Sequence, residues 1–412
     1  MRVYLVGHAI SPIRGSEPGV TWNWAWELSQ HVPVTVLSHP QYREEVEARL
    51  KSTPNPRLRV RWVEVKGVDP WKPGKGERGL RLHYLLWLRE VARELRRILD
   101  EEGRTGAIVH HVSWGTLSAP PPFTKLGVPV VWGPVGGGQK APKAFLRYWG
   151  KERWKEVLRS WRISLLAAAP WWRRAVRQYD LVLATNRETL VLLQETGVKD
   201  VRLFLDSGVP VGFGLDAPPT EVKDSTGPLR VLWAGRLESM KTLPLALEAL
   251  TQMRANVELW VAGDGPRRSA WEEMAKALGL EQRVHFLGRV PPQEMPNLFK
   301  RAQAFLFTSM RDSFGSVVLE AMAFGLPFIV PDHQGVGTFA PDDAGIKVPV
   351  TTLAETASGF ARALERLALD PDLRLRLAQG AWRYAQEERW DRRAQRMLGL
   401  YEEVLSRAHR HI

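Results

Sequence analysis

The chain has 412 residues, 44% of them hydrophobic and 25% charged, a composition typical of a folded protein long enough for two domains. It contains no cysteine, which excludes disulfides, thiolate metal sites and a cysteine nucleophile. The formal net charge is +13, and residues 1–205 hold 33 Lys and Arg against 19 Asp and Glu, so we expect the first half to face an anionic partner.

No apolar run reaches the roughly 18 residues that a membrane-spanning helix needs. The opening segment MRVYLVGHAI has too short an apolar run for a signal peptide and is typical of a buried first strand. We therefore expect a cytoplasmic protein.

In the first half, apolar β-branched segments alternate with amphipathic ones. Strands are predicted at RVYLVGHA, VPVTVLSHP, AIVHHVS, VPVVWGP and YDLVLATN, and helices at GVTWNWAWELSQH, RGLRLHYLLWLREVARELRRILDEE and RETLVLLQETG. Strands that alternate with helices form a parallel sheet covered on both faces. Residues 1–205 are therefore predicted to form one Rossmann-like domain.

Residues 206–228 are rich in Gly, Pro and Asp and lack periodicity, which predicts a linker. The alternation then restarts over residues 229–389, and a final helix over residues 390–412 is predicted to pack back on the first domain. The expected fold class is α/β, with two doubly wound domains and a cleft between them. Ligands are expected at the carboxyl ends of the strands.

The segment RDSFGSVVLEAMAFGLPFIVPD places Asp312 and Glu320 eight residues apart around the start of a predicted helix. The first amides of such a helix have no partner within it and attract anions, and Gly315 lets a ligand approach the backbone closely. Carboxylates on both sides of an anion site suit the hydroxyl groups that flank the diphosphate of a sugar nucleotide. In the alternative interpretation Asp312 is a helix N-cap and Glu320 an ordinary helix carboxylate.

The segment AGRLESMK places Arg236 and Lys241 directly after the first strand of the second half. Two cations at the carboxyl end of a strand are suited to neutralising a diphosphate, and arginine can bind it with two parallel hydrogen bonds. The alternative is a pair of solvated loop charges. The turn AGDGP after the next strand is weak evidence, because such turns also simply reverse the chain.

In their order along the chain, AGRLESMK, AGDGPRR, VHFLGRVP and DSFGSVVLEAMAFGLP resemble the retaining glycosyltransferases of family 4, which have the GT-B fold. The resemblance covers residues 229–390. That family carries two glutamates eight residues apart, whereas this chain has Asp312 in the first position. The shorter acid leaves the donor sugar open.

The resemblance implies roles for individual residues and for the two domains, with the acceptor bound by the first domain and the nucleotide sugar by the second. Asp312 is grouped with the catalytic residues because it contacts the transferred sugar. The other residues assigned in this way are Arg236, Lys241, Gly15, Phe314, Gly315 and Ser316 at the donor diphosphate, and Glu320, Arg289 and Val290 at the ribose and nucleobase.

The segment AIVHHVSWGT resembles the place where the family carries a histidine near the reacting sugar, which makes His110 and His111 catalytic candidates. Successive strand residues point to opposite faces, so at most one of them is expected to face the cleft. The alternative is a histidine bonded within the end of the sheet. No further ligand has metal-site spacing near the pair, so neither a metal nor a cofactor is expected.

The function implied by the resemblance is retaining transfer of a sugar from a nucleotide-diphosphate sugar to a hydroxyl of a glycan or lipid-linked acceptor, as in the synthesis of cell-envelope polysaccharides. The alternatives are a sugar-nucleotide epimerase or a phosphorylase on a similar scaffold, or a basic nucleic-acid-binding protein. The order of the motifs argues against the first two. The lack of a recognition motif argues against a nucleic-acid partner.

The stretch from Phe145 to Asp180 holds five Trp and nine Lys and Arg against three acids. A helix with Trp and cations along its polar boundary is typical of peripheral contact with an anionic membrane. Such contact is expected through residues 145–178, on the inner face of the membrane. The alternative is that the tryptophans are buried in the first domain and the cations are solvated.

Overall fold

The computed structural model describes residues 1–67, 79–222 and 227–409. The chain forms two compact units, each built on a parallel sheet. The first unit consists of Met1–Gly138, Ile163–Asp206 and Trp390–Ile412, and the second of Gln139–Arg162 and Ser207–Arg389.

Over the described residues the sheet of the first unit has seven parallel strands in the order β3-β2-β1-β4-β5-β6-β7. The strands are β1 (Arg2–Gly7), β2 (Val34–Ser38), β3 (Leu58–Trp62), β4 (Ala107–Ser113), β5 (Val130–Val135), β6 (Leu181–Ala184) and β7 (Val201–Leu203). The helices up to β7 are α1 (Ser16–Ser29), α2 (Arg43–Ser52), α3 (Leu80–Glu102), α4 (Arg153–Ala168), α5 (Pro170–Val176) and α6 (Arg187–Glu195).

The central strands β4 and β5 are buried at every residue, as expected for a parallel sheet that is covered on both faces. On one face, Tyr84 and Trp87 of α3 pack with β4 and β5. On the other face, Trp24 of α1 and Tyr401 of α14 (Trp390–His409) pack with β1 and β4. The strand order reverses between β1 and β4, and such a switch point is where doubly wound sheets bind ligands.

Over the described residues the sheet of the second unit has six parallel strands in the order β10-β9-β8-β11-β12-β13. The strands are β8 (Leu229–Ala234), β9 (Val257–Ala262), β10 (Val284–Gly288), β11 (Ala304–Leu306), β12 (Phe328–Asp332) and β13 (Gly345–Pro349). The helices are α7 (Leu243–Thr251), α8 (Arg268–Ala277), α9 (Met295–Arg301), α10 (Ser316–Ala323), α11 (Gln334–Phe339), α12 (Leu353–Leu369) and α13 (Pro371–Glu387). Here the order reverses between β8 and β11.

The segment Gln139–Arg162 belongs to the second unit, although the sequence placed it within a first domain of residues 1–205. Phe145 and Trp149 are buried in the core of the second unit. Arg267 donates hydrogen bonds to the backbone oxygen of Trp149 at 2.8 Å and to Glu152 at 3.2 Å. These contacts join residues far apart in the chain, so no local pattern in the sequence indicates them.

Residues 207–222 of the predicted linker belong to the second unit. The Leu215 amide donates to the Ala323 oxygen at 2.9 Å, and Trp382 Nε1 donates to the Leu215 oxygen at 2.9 Å. Gln379 Nε2 donates a hydrogen bond to the Pro219 oxygen at 3.0 Å. Residues 223–226 lie outside the described residues.

Across the three described ranges, no helix combines the length and the apolar character that crossing a membrane requires.

Candidate functional site

The loops that follow β8 and β11 meet at the switch point of the second unit. Lys241 comes from the loop after β8, and Asp312 from the loop after β11. The Lys241 ammonium forms an ion pair with the Asp312 carboxylate, and each side chain is 20% exposed. The structure thus brings together two residues that the sequence assigned separately, and both are open to a ligand.

The position of Lys241 is fixed by buried contacts on its backbone. The Thr308 hydroxyl donates to the Lys241 oxygen at 2.7 Å, and the buried Trp233 indole donates to the same hydroxyl at 3.0 Å. The Lys241 ammonium also lies 5.5 Å from the centre of the Phe307 ring. Because the backbone at Lys241 is already fixed, little conformational entropy is lost when the ammonium group binds an anion.

Helix α10 begins directly beyond Asp312, with Gly315 as its N-cap at φ +92°. A side chain on Gly315 would lie 2.7 Å from the Phe307 ring, so both the space and the backbone angle require glycine. Inside the helix, the Ser316 hydroxyl hydrogen-bonds to the Glu320 carboxyl, while burial raises the pKa of Glu320 above its ordinary value. Phe314 itself is buried, which leaves its backbone amide as the group available to a ligand.

Buried ion pairs between α4 and Arg311 support the turn at Asp312. Glu156 of α4 is 3% exposed and pairs with Arg311 at 2.9 Å and with Arg159 at 3.2 Å. Arg311 directly precedes Asp312, so the inner side of α4 fixes this turn through a charge-assisted hydrogen bond.

Three other predicted donor residues lie in the loops that follow β8 and β10. Arg236 is 71% exposed and pairs with Glu238 at 2.8 Å. Arg289 is exposed and Val290 partly buried, in the turn after the edge strand β10. Within the described ranges, no hydrogen bond or ion pair joins these three residues to Lys241 or Asp312.

At the switch point of the first unit, the start of α1 contacts the loop that follows β4. Gly15 is the exposed N-cap of α1. Glu17, in the first turn, accepts a hydrogen bond from the Gly115 backbone N–H, and burial raises its pKa to about 7. Here too a carboxylate lies at the edge of the sheet where ligands are expected.

His110 and His111 lie in the core of the first unit, which differs from their predicted place near a reacting sugar. His110 Nε2 donates to the Gly133 oxygen at 2.7 Å and its Nδ1 accepts from the Tyr401 hydroxyl at 2.5 Å. His111 Nε2 accepts from the Tyr84 hydroxyl at 2.8 Å. The two rings do point to opposite faces of the sheet, but α14 covers one face and α3 the other, so neither imidazole is exposed.

The buried histidines make stability depend on pH. Burial lowers the pKa of His8 to about 3, of His110 to about 4 and of His111 to about 3. Between these values and the ordinary 6.5 the unfolded chain binds more protons than the folded chain. We expect the free energy of unfolding to fall on acidification across this window, by about 1.4 kcal/mol per pH unit for each group.

Urea unfolding over a pH series measures this dependence. Glu17 contributes in the opposite direction between pH 4.5 and about 7, because its raised pKa makes the folded state bind the extra proton. Glu17→Gln should therefore steepen the loss of stability on acidification. A free energy of unfolding that does not change between pH 6.5 and 4 would show that the histidines are not buried as neutral rings.

The region that carries the Lys241–Asp312 pair has a counterpart among known protein families. Residues 220–383 match the family model described as glycosyl transferases group 1. The match includes Lys241, Asp312, the start of α10 and Glu320. Residues 220–383 are called the group 1 region below. The resemblance predicted from the motifs of the second half is thereby confirmed for this group 1 region.

Curated relatives match over a similar part of the chain. A D-inositol 3-phosphate glycosyltransferase from Salinispora tropica is 33% identical over 192 residues, which cover 43% of this chain and 38% of the relative. An alpha-D-kanosaminyltransferase from Streptomyces kanamyceticus is 33% identical over 155 residues, 37% of this chain and 39% of the relative. The match thus spans about two fifths of the length of these relatives.

Solved structures match nearly the whole chain. Sucrose-phosphate synthase from Thermosynechococcus elongatus has a TM-score of 0.65 at 17% identity and covers 98% of this chain and 99% of its own. HepE from Anabaena, in complex with UDP and glucose, has a TM-score of 0.61 at 16% identity. The match covers 98% of this chain and 100% of HepE. These likenesses confirm the predicted α/β fold class, with two Rossmann-like domains of the GT-B type.

The sequence did not indicate Gln334, which contacts the turn at Asp312. Gln334 has φ +55° and is buried. Its Oε1 accepts from the Asp312 amide at 2.7 Å, and its Nε2 donates to the Met310 oxygen at 2.9 Å and the Lys140 oxygen at 3.2 Å. A non-glycine residue at positive φ is uncommon and marks a position that its surroundings hold in place.

Proposed function

We propose that the protein transfers a sugar from a nucleotide-diphosphate sugar to a hydroxyl group of an acceptor, with retention of configuration and without a metal ion. The observation that carries the proposal is the Lys241–Asp312 ion pair beside the start of α10, within the group 1 region. It combines a fixed cation, free helix amides and a carboxylate at one switch point. Those are the groups that a diphosphate and an adjoining sugar need.

The proposed roles follow from the chemistry of each group. Lys241 and the amides of Phe314, Gly315 and Ser316 bind the diphosphate, with Arg236 and Gly15 as further contacts. Asp312, released from part of its pairing with Lys241, accepts hydrogen bonds from the sugar. Glu320 binds the ribose hydroxyls, and the turn at Arg289 and Val290 contacts the nucleobase.

In the proposed reaction, the bond between the sugar's anomeric carbon and the phosphate oxygen breaks, and its electron pair leaves with the nucleoside diphosphate. The acceptor oxygen forms its bond to the same carbon on the face that the diphosphate leaves, so the configuration is retained. The acceptor proton passes to the departing phosphate. Lys241 and the helix amides stabilise the negative charge that develops there.

The proposed acceptor is a hydroxyl on a glycan or a lipid-linked acceptor, of the kind used to build cell-envelope polysaccharides. The relatives support sugar transfer because both are named for it. The proposed setting is the cytoplasmic side of a membrane, in peripheral contact through residues 145–178.

A thermal-shift screen against UDP-, GDP- and ADP-sugars, with a chelator present, tests the proposal. A ligand at 100 times its dissociation constant stabilises the folded state by about 2.7 kcal/mol, so one nucleotide should raise the melting temperature clearly. Asp312→Asn should reduce that shift, because the amide cannot pair with Lys241 or serve as an anionic acceptor for the sugar hydroxyls. A folded sample that shifts with none of the three nucleotides would contradict the proposal.

A further inference from the structure

Helix α4 presents large apolar side chains to solvent along one face. Trp154 is 60% exposed and Trp161 is 61% exposed. The full set, called here the exposed face of α4, is Trp154, Val157, Leu158 and Trp161. Their spacing of three and four residues places them on one side of the helix. An apolar patch of this kind on a soluble protein marks an interaction site.

Cations border this face on both sides. At about 3.6 residues per turn, Arg153 lies on one side of the apolar stripe and Arg162 lies on the other, next to Lys155, which pairs with Glu152 at 3.1 Å. All three are exposed. Their long side chains can extend to a charged surface while the stripe between them is covered.

Both acids of the same stretch have partners. Glu152 accepts from the Ser239 hydroxyl at 2.9 Å and pairs with Arg267 at 3.2 Å and with Lys155 at 3.1 Å. Glu156 lies on the opposite, buried side of α4, paired with Arg159 and Arg311. The exposed face of α4 is therefore apolar in its centre and positive at its borders.

We infer that the exposed face of α4 binds the surface of an anionic phospholipid membrane, with the helix lying parallel to it. The tryptophans and aliphatic side chains enter the boundary between headgroups and acyl chains, and the bordering cations contact lipid phosphates. A second copy of the chain is a poorer occupant, because two identical faces would bring their cations together.

This inference rests on the peripheral membrane contact in the proposed function and assigns it to one face of α4, and it does not depend on sugar transfer. The opposite side of the same helix holds Arg311 next to Asp312 through Glu156. The element that contacts lipid is thus also one that positions the turn at the candidate donor site.

Vesicle flotation of the full chain tests the inference. We compare vesicles of phosphatidylcholine alone with vesicles that also contain phosphatidylglycerol, at low and high salt. The test variant is Trp154→Glu/Trp161→Glu. The matched control is Leu278→Glu/Leu369→Glu, which adds the same charge at two exposed leucines of the second unit outside α4.

The wild type and the control should float with the anionic vesicles at low salt, and the test variant should bind about tenfold or more weakly. Arg153→Gln and Arg162→Gln should each weaken binding about fivefold. Unchanged melting temperatures and nucleotide-sugar shifts in all variants would exclude loss of folding. The inference is overturned if the wild type does not float, if the test variant floats as well as the wild type, or if light scattering shows a dimer that the test variant dissociates.

Discussion

Lys241→Ala is expected to lower turnover about tenfold or more at saturating nucleotide sugar, because one preorganised donor to a developing negative charge is typically worth about 10²–10³ in rate. The variant also removes the partner of Asp312, but the backbone contacts of residue 241 to Thr308 remain. The protein should therefore stay folded. Steady-state kinetics with the nucleotide sugar found by the thermal-shift screen measures the effect.

Lys347→Ala is the matched control for this experiment. Lys347 pairs with Asp342 at 2.7 Å and its side chain is 22% exposed, which closely matches the burial of Lys241. The control loses a similar ion pair away from the switch point and should keep normal turnover. Near-normal turnover of Lys241→Ala would remove Lys241 from the proposed site.

Replacing Gln334 should weaken both the fold and the donor site. Gln334→Ala removes three hydrogen bonds of a buried side chain, each worth about 0.5–1.5 kcal/mol. The total loss in the free energy of unfolding should be about 2–4 kcal/mol. Because the Asp312 amide loses its partner, nucleotide-sugar binding should weaken about tenfold, which corresponds to about 1.4 kcal/mol. Urea unfolding and titration calorimetry measure the two effects.

Gln334→Gly separates the effect of losing the side-chain hydrogen bonds from the effect of the positive φ angle. Glycine loses the same hydrogen bonds but adopts φ +55° without the cost of roughly 1–2 kcal/mol that other residues incur there. It should therefore be more stable than Gln334→Ala while binding nucleotide sugar equally weakly. Wild-type affinity in the glycine variant would show that the hydrogen bond to Asp312 does not position the site.

The sequence predicted much of the second unit correctly, because local signals suffice there. AGRLESMK and DSFGSVVLEAMAFGLP each follow a buried apolar strand, and the carboxyl ends of parallel strands meet at one edge of a sheet. Lys241 and Asp312 were therefore expected at the same edge, and the structure places them in contact. Their pairing with each other was not predicted, because it depends on side-chain reach across two loops.

Contacts between distant segments explain what the sequence did not predict. Gln334 is ordinary in its local context, and its role appears only when residues 140, 310 and 312 surround it. The prediction that His110 is catalytic did not take α14 into account. Tyr401 of α14, which lies 291 residues further along the chain, hydrogen-bonds to the His110 ring and covers it. The pattern of α4 indicated an amphipathic helix, but only the folded chain shows that Glu156 points inward and the tryptophans outward.

The order of segments along the chain has a consequence for synthesis on the ribosome. The polypeptide changes from one unit to the other at residues 138–139, 162–163, 206–207 and 389–390. The first unit lacks α14 until residues 390–409 have been made, so His110 has no Tyr401 to bond before then. The second unit needs Phe145 and Trp149 from a segment made much earlier. A nascent chain halted near residue 228 therefore exposes apolar surface from both units, and the two halves expressed as separate polypeptides should each require the other in order to fold.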